Sequence, residues 1–356
     1  MITRLREAGS IFLGQLNTYE FTFGGRPTFD ALYPPARNPW NIDRSTGGSS
    51  SGSGAAVAAG FCLGALGSDA GGSIRTPSAF CGIAGMKPTF GRVSAFGDLP
   101  LSFSFDCVGP MTWTSEDSAL MLQVLAGYDE RDAGSVDIPV ADYVGPLDKG
   151  IQGLKIGFIR HFFTTDFAAP PVITQAIDTM STTLEDMGAI VDEVQVSPLI
   201  DWHAVGRIIL PAEAYAIHKD RLEAGLGDQY DPLVAFRLQS GKNILASDYI
   251  NMLHERKQVW QAVQARLQGF DALVLPTAPI LPPLLSSLQD IESKIQQSAL
   301  SLRNTALSNY LDRPTISMPC HSLGTGPVGL SLIGSRQHDR RLLAIAAACE
   351  TIISPS

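Results

Sequence analysis

Two short stretches of this sequence put serine hydroxyls and backbone amides into glycine-bearing turns. The first, Gly47-Gly48-Ser49-Ser50-Ser51-Gly52-Ser53-Gly54, runs directly into Ala55-Ala56-Val57-Ala58-Ala59, a segment of strong helix formers. It therefore reads as a helix N-terminus and not as a slack Gly/Ser linker. Unpaired N–H groups and the positive end of the helix dipole favour an anion or a polarised oxygen there. The second, Gly67-Ser68-Asp69-Ala70-Gly71-Gly72-Ser73-Ile74-Arg75-Thr76-Pro77-Ser78, sets two glycines immediately before Ser73. Glycine lets the chain turn tightly, so that several consecutive N–H groups face one point near the serine oxygen, which is an oxyanion hole in outline. Either stretch alone also fits a capping serine in a tight turn. Two of them, 24 residues apart from Ser49 to Ser73 with an apolar helix between, point to a serine-based site.

Phosphate cradling is the main rival for a glycine-rich turn before a helix. After the Gly47 to Gly52 spacing, however, position 53 is Ser and not the Lys that a P-loop requires. The Ser-x-x-Lys spacing of another serine chemistry is also missing.

The composition is that of a well-packed protein, somewhat poorer in charge than usual. Of the 356 residues, 45% are hydrophobic and 17% charged, and the formal charge is -9, which repels nucleic acid and anionic membrane. Direct nucleic-acid binding and membrane association are not expected. The five cysteines, Cys62, Cys81, Cys107, Cys320 and Cys349, are widely spaced with no metal-ligand pattern and read as reduced core residues. No run of about 18 apolar residues and no secretion signal is visible, so a cytoplasmic location is expected.

The elements that must hold the two turns follow from periodicity. Ile2 to Ala8 reads as a short helix without an N-cap, leading through Gly9 into an apolar strand, Ile11-Phe12-Leu13-Gly14. Leu154 to Arg160 reads as a strand, Val172 to Met187 as a helix with Ile173, Ile177, Met180, Leu184 and Met187 on one stripe, and Ala189 to Val196 as a returning strand. A helix over Ile250 to Leu267 precedes strands at Ala272 to Pro276, Thr315 to Pro319 and Val328 to Ile333, and a helix over 339 to 352 closes the chain. The alternation predicts an α/β fold on a mixed, largely buried sheet flanked by helices. No linker divides it, so residues 1–356 are expected to form one domain, with Asp129 to Gly150 crossing its surface.

At this point the residues resemble the amidase signature family. The block from Gly47 to Pro88, "GGSSSGSGAAVAAGFCLGALGSDAGGSIRTPSAFCGIAGMKP", is similar to the signature itself. The upstream segment "RLREAGSIFLGQLNTYEF" and the later "DALVLPTAP", "RNTALSNYLDRPTISMPC" and "GPVGLSLIG" are similar to other blocks of the family, and Asp220 to Leu245 is the least familiar part.

The resemblance implies cleavage of carboxamide C–N bonds by a Ser, Ser, Lys triad. Carried onto this chain, Ser73 is the nucleophile, Ser49 the bridging serine after a cis peptide bond, and Ala70, Gly71, Gly72 and Ser73 the oxyanion amides, with supporting roles for Ser50, Asp69 and Arg75. An amide needs an activated attacking oxygen, a place for negative charge and a proton for the departing amine, and these parts supply them. No metal or organic cofactor is implied.

The general base departs from the pattern. The family's lysine lies upstream of the Gly/Ser segment, whereas the first lysine here is Lys87, at a position that matches a different family residue. The six histidines, His161, His203, His218, His254, His321 and His338, show no local partner pattern and read as surface or packing residues. With the uncapped first helix, this leads to the expectation of an N-terminally shortened form of a longer amidase, with very low activity of its own. Three functions stay open: an amidase-type hydrolase, the glutaminase-like subunit of a tRNA amidotransferase working beside a partner, and a binding protein that retains the pocket. The expected ligand is a small amide, with a homodimer unsurprising. Thr18 to Phe23, Asp98 to Phe105 and Trp202 to Arg237 are the expected pocket-lining segments.

Overall fold

A computed structural model describes residues 1–24, 34–196, 205–322 and 324–353. The strands are β1 (Gly64–Asp69), β2 (Ala84–Lys87), β3 (Cys107–Thr112), β4 (Lys155–Phe158), β5 (Ile190–Glu193), β6 (Ala272–Pro276), β7 (Thr315–Pro319) and β8 (Gly329–Ile333). They form one eight-stranded sheet in the order β1-β3-β2-β7-β8-β6-β4-β5. The helices are α1 (Ile2–Glu7), α2 (Ser51–Ala58), α3 (Arg75–Cys81), α4 (Ser115–Leu125), α5 (Pro171–Asp186), α6 (Leu210–Glu223), α7 (Pro232–Gly241), α8 (Ala246–Arg266), α9 (Ile291–Leu302), α10 (Ala306–Tyr310) and α11 (Asp339–Ile353).

The sheet is mixed because its two halves are wired differently. The unit β4-α5-β5 returns parallel, as a helical crossover requires, and β4 also pairs parallel with β6. From β6 through β8, β7, β2 and β3 to β1 every pairing is antiparallel. Every residue of β6 and β8 is buried, so β6 reads as an apolar run and β8 is apolar but for Ser331, whose hydroxyl bonds that of Thr277 at 2.8 Å. Burial of a side chain such as Leu275 or Leu332 contributes about 1.5–3 kcal/mol, so these central strands anchor the core. Helix α5 buries Ile173, Ile177, Met180 and Leu184 at the spacing that predicted it, while Met187 is its C-cap residue and only half-buried. Helix α4 starts from a full capping box between Thr114 and Asp117.

The strand expected at Ile11 to Gly14 does not form. Residues 11–19 have no regular secondary structure, and Ile11 and Leu13 are 87% and 74% exposed. An apolar run becomes a strand only when a neighbour pairs with its backbone, and none of the described strands does so here. Three strands the periodicity missed, β1, β2 and β3, lie together at one end of the sheet order, and β1 leads into the second serine turn. The segment from Asp129 to Gly150 crosses the surface without regular structure, pinned where the amide of Val136 donates to the Gly91 carbonyl and that of Tyr143 to Gln123 Oε1.

Candidate active site

The Gly/Ser stretch is packed structure and not linker. Residues 49–54 are all buried, and the helix begins at Ser51, four residues earlier than the alanine run suggests. Ser50 is the residue before the first turn, yet its hydroxyl makes no capping bond. It accepts instead from the amide of Ser68 at 3.3 Å and donates to the Ser68 carbonyl at 3.4 Å, tying the helix start to β1. The peptide bond between Gly48 and Ser49 is cis.

Strand β1 ends at Asp69, and the chain then turns through Ala70, Gly71, Gly72 and Ser73 into α3. Gly72 has φ +138, and a Cβ there would stand 2.1 Å from Thr305 Oγ1, so both conformation and space restrict the position to glycine. The Thr305 hydroxyl donates to the Gly71 carbonyl at 2.7 Å and holds the turn from the far side. Open space lies where a Cβ of Gly71 would point.

The two serine turns meet at the backbone. The amide of Ser50 donates to the carbonyl of Ser73 at 3.2 Å. Ser49 is 3% exposed and its hydroxyl has no hydrogen-bond partner among the described residues, so no hydrogen bond joins it to Ser73. The Ser49 carbonyl accepts from the amide of Tyr19 at 3.0 Å and from the Thr18 hydroxyl at 3.1 Å. The Tyr19 ring lies where a Cβ of Gly48 would be, 2.3 Å from its ideal position.

Of the four amides expected to face one point, the one of Gly72 is corrected by the structure. It donates to Asp69 Oδ1 at 2.8 Å, while Asp69 Oδ2 takes the amide of Ile74 at 3.2 Å. A carboxylate buried inside the turn captures the nearest N–H groups, which leaves the amides of Ala70, Gly71 and Ser73 without an acceptor among the described residues.

Asp69 and Arg75 form the frame of the turn. Both are fully buried, and Arg75 meets Asp69 in a two-point ion pair, Nε to Oδ2 at 2.9 Å and Nη2 to Oδ1 at 2.8 Å. Burial alone pushes the Asp69 carboxyl up, but the Arg75 charge and the hydrogen bonds from Arg75 and Asn309 outweigh it and hold the group below its ordinary range. The remaining guanidinium donors go to the Thr305 carbonyl at 2.8 Å, Ser308 Oγ at 2.5 Å and Asn309 Oδ1 at 2.6 Å, and Asn309 Nδ2 returns to Asp69 Oδ1 at 2.9 Å. Sequence reasoning does not single out Thr305, Ser308 and Asn309. They lie more than 200 residues beyond the turn, and the one signal for them is their place within the block "RNTALSNYLDRPTISMPC".

Lys87 is elsewhere occupied. It is 1% exposed on β2, its Nζ donates to the Pro88 carbonyl at 2.8 Å and stands 3.9 Å from Cys107 Sγ. No described histidine reaches either serine: His161 bonds Asp166 and the amide of Val196, His218 bonds Tyr230, and His254, His321 and His338 have other surroundings. His203 lies outside the described residues, as do 202–204 at the start of the expected lining segment. Among the described residues no group of three or more His, Cys, Asp or Glu could hold a metal, and no helix is long and apolar enough to cross a membrane.

Comparison with known proteins identifies the family of the chain. Residues 1–343 match the amidase family. The chain is 35% identical to a glutamyl-tRNA(Gln) amidotransferase subunit of Syntrophus aciditrophicus, over 98% of this chain and 76% of that protein. Among solved structures, the corresponding glutamyl-tRNA(Gln) amidotransferase subunit from Thermotoga maritima superposes with a TM-score of 0.82 at 30% identity, covering 99% of this chain and 75% of that one. A bacterial aryl acylamidase of the amidase signature family superposes with a TM-score of 0.84 at 26% identity, covering 100% and 75%. With a family match over nearly its whole length and the two serine turns packed against one another, the chain belongs to the amidase signature family.

Proposed function

We propose that this chain is an amidase-type hydrolase in which Ser73 attacks the carbonyl carbon of a small carboxamide. The C–N bond breaks, the amine leaves with a proton, and the acyl group remains on Ser73 until water removes it. The oxyanion takes hydrogen bonds from the amides of Ala70, Gly71 and Ser73, each contributing about 2.7–4 kcal/mol by comparison with other such holes. Ser49 passes the proton between Ser73 and the leaving amine. Asp69 and Arg75 act through the turn: they hold Gly72 and Ile74 in place so that the three other amides converge.

The observation that carries this reading is the pairing of a buried, unpartnered Ser49 hydroxyl with a turn whose three amides have no acceptor among the described residues. Buried polar groups are left unmatched at a cost of about 1–3 kcal/mol each, and a reacting carbonyl would match several at once. A serine hydroxyl still needs a base, and no lysine or histidine among the described residues contacts Ser49 or Ser73. The residues of this chain alone therefore acylate slowly, by a factor of roughly 10²–10⁴ relative to a site with its base. Measuring release of p-nitrophenol from aryl esters and p-nitroaniline from aryl amides tests this. Slow, Ser73-dependent release with esters ahead of amides is expected, and turnover like an ordinary amidase would mean that a base acts here after all.

A second reading has its own support, the 35% identity to a glutamyl-tRNA(Gln) amidotransferase subunit over 98% of this chain. In it the same site takes the carboxamide of glutamine and delivers ammonia within a complex. Glutaminase activity that appears only with a co-purifying partner would favour it. A third outcome, a bare pocket that binds amides without chemistry, would be recognised by silence toward every serine-directed reagent.

A further inference from the structure

Helix α6 carries two buried polar side chains, Glu213 and His218, that face two different loops, and each loop leads back to the site. Glu213 is 3% exposed and receives the hydroxyl of Ser102, the amide of Ser104 at 3.0 Å, the Ser104 hydroxyl at 2.5 Å and the Tyr249 hydroxyl at 2.6 Å. The loop it grips is further closed by Asp106, which takes the amides of Leu101 and Ser102 at 2.7 and 2.9 Å. Phe105 of that loop lies under the Arg256 guanidinium at 4.4 Å, and Arg256 donates to the carbonyls of Asn309 and Tyr310 at 3.1 and 2.8 Å. Asn309 is the residue that completes the shell of Asp69.

His218 is 2% exposed; its Nδ1 bonds the Tyr230 hydroxyl at 3.0 Å, and its Nε2 is buried with no partner among the described residues. The Phe21 ring stands edge-on to the imidazole at 4.7 Å and tilted against Tyr230 at 5.3 Å. Phe21 and Thr22 have φ +49 and +55, a left-handed conformation that is costly for an aromatic and a β-branched residue and persists only where the surroundings enforce it. The enforcing contacts are the His218 ring of α6 against Phe21 and two hydrogen bonds from α7 and its N-cap: Asp231 donates its amide to Glu20 Oε2 at 2.9 Å, and Arg237 donates to the Phe23 carbonyl at 2.8 Å. The other end of the same strap is Thr18 and Tyr19, both bonded to the Ser49 carbonyl.

We infer that α6 is a two-point clamp, with Glu213 and His218 as positioning residues that fix the 98–106 loop and the 17–24 strap and so set which amide fits beside Ser49 and Ser73. This rests on the serine-site reading above. Burial and the neighbouring Arg221 charge hold the His218 imidazole below its ordinary pKa, so it is neutral at pH 7 and works by shape and hydrogen bonding. Glu213 and His218 act independently, because their loops approach α6 from different partners.

The test combines hydrogen exchange with serine labelling in the full chain. In His218→Phe, which keeps a ring but loses the Tyr230 bond, amide protection at Tyr19, Thr22, Phe23 and Gly24 is expected to fall roughly tenfold while 98–106 is unchanged. Tyr230→Phe, which removes one oxygen, should do the same and serves if His218→Phe folds poorly. Glu213→Gln should loosen 101–106 and leave the strap alone. In each variant the ratio of Ser73 labelling rates for a methyl and an octyl phosphonate should shift about fivefold or more, whereas a merely structural role would slow both alike. Uniform loosening of the whole chain including α11, or no local loosening at 17–24, would overturn the clamp. If the wild type is labelled by neither phosphonate, the serine-site reading fails while the exchange data still decide whether α6 holds the two loops.

Discussion

The amide of Ser50 donates to the carbonyl of Ser73 at 3.2 Å and, beside the two bonds between the Ser50 hydroxyl and Ser68, ties the two glycine-bearing turns of the chain to each other. It joins the start of α2 to the start of α3 and leaves the side chains of Ser49 and Ser73 free to serve chemistry.

Removing Arg75 should destabilise the whole fold through the turn it frames. Its guanidinium neutralises Asp69 inside the protein, and leaving one member of a buried pair uncompensated costs about 3–5 kcal/mol. Arg75→Met is expected to lower the melting temperature sharply, and Arg75→Lys to recover only part because one ammonium cannot repeat the two-point bond. Thermal unfolding followed by circular dichroism checks both.

Gly72→Ala should be damaging despite adding one carbon. The new Cβ would stand 2.1 Å from Thr305 Oγ1 and 2.7 Å from Thr305 Cβ, at a φ of +138 that side chains rarely adopt. A loss of about 1–3 kcal/mol is expected in urea unfolding. Thr305→Val, which removes the bond to Gly71, should cost about 1 kcal/mol and slow labelling of Ser73.

How much of the fold and site is legible in the sequence differs by element. Ser73 is marked by the two glycines before it, while Ser49, Asp69 and Arg75 are picked out through the resemblance of the Gly47 to Pro88 block to the amidase signature. The unit β4-α5-β5 is legible because the apolar stripe of α5 repeats at the helical period between two short extended segments, the second stopped off from the helix by Gly188. Strand β1 is not, since Gly64-Ala65-Leu66-Gly67-Ser68-Asp69 has little intrinsic strand preference and is extended because β3 pairs along its whole length. Ile11 to Leu13 fails the opposite way, with the right residues and no pairing strand among those described. Thr305, Ser308 and Asn309 are ordinary polar residues whose role arises only when the chain brings α10 under the turn, and the commitment of the Gly72 amide to Asp69 is likewise a tertiary fact.

Asp106 gives a pH signature. Burial pushes its carboxyl up to about 7, against two backbone bonds that pull it down and with Asp98 and Glu213 adding to the rise. A carboxyl whose folded pKa lies above its unfolded value of 3.8 binds more protons in the folded state, so its contribution is fully present below pH 3.8 and is lost as pH rises to about 7. Asp106→Asn keeps an oxygen for the amides of Leu101 and Ser102 and removes the titration. Unfolding free energy measured across that window should decline less steeply in Asp106→Asn than in the wild type, and equal slopes would contradict the assignment.

In the proposed mechanism the unpartnered Ser49 hydroxyl is the group on which an added base would act. Small primary amines such as ethylamine, unprotonated in part at pH 9, are expected to accelerate acylation of Ser73 by an aryl ester, with the effect lost in Ser49→Ala. Equal acceleration in that variant would mean that the amine acts directly on the ester and that Ser49 has no part in proton transfer.

Peptide mapping after treatment with a fluorophosphonate tests the central claim most directly. The predicted result is a single adduct on the peptide containing Ser73, none in Ser73→Ala, and a slower reaction in Ser49→Ala with the fold intact. An unmodified Ser73 under conditions that label other serine hydrolases, or an adduct that forms at the same rate without Ser49, would contradict it.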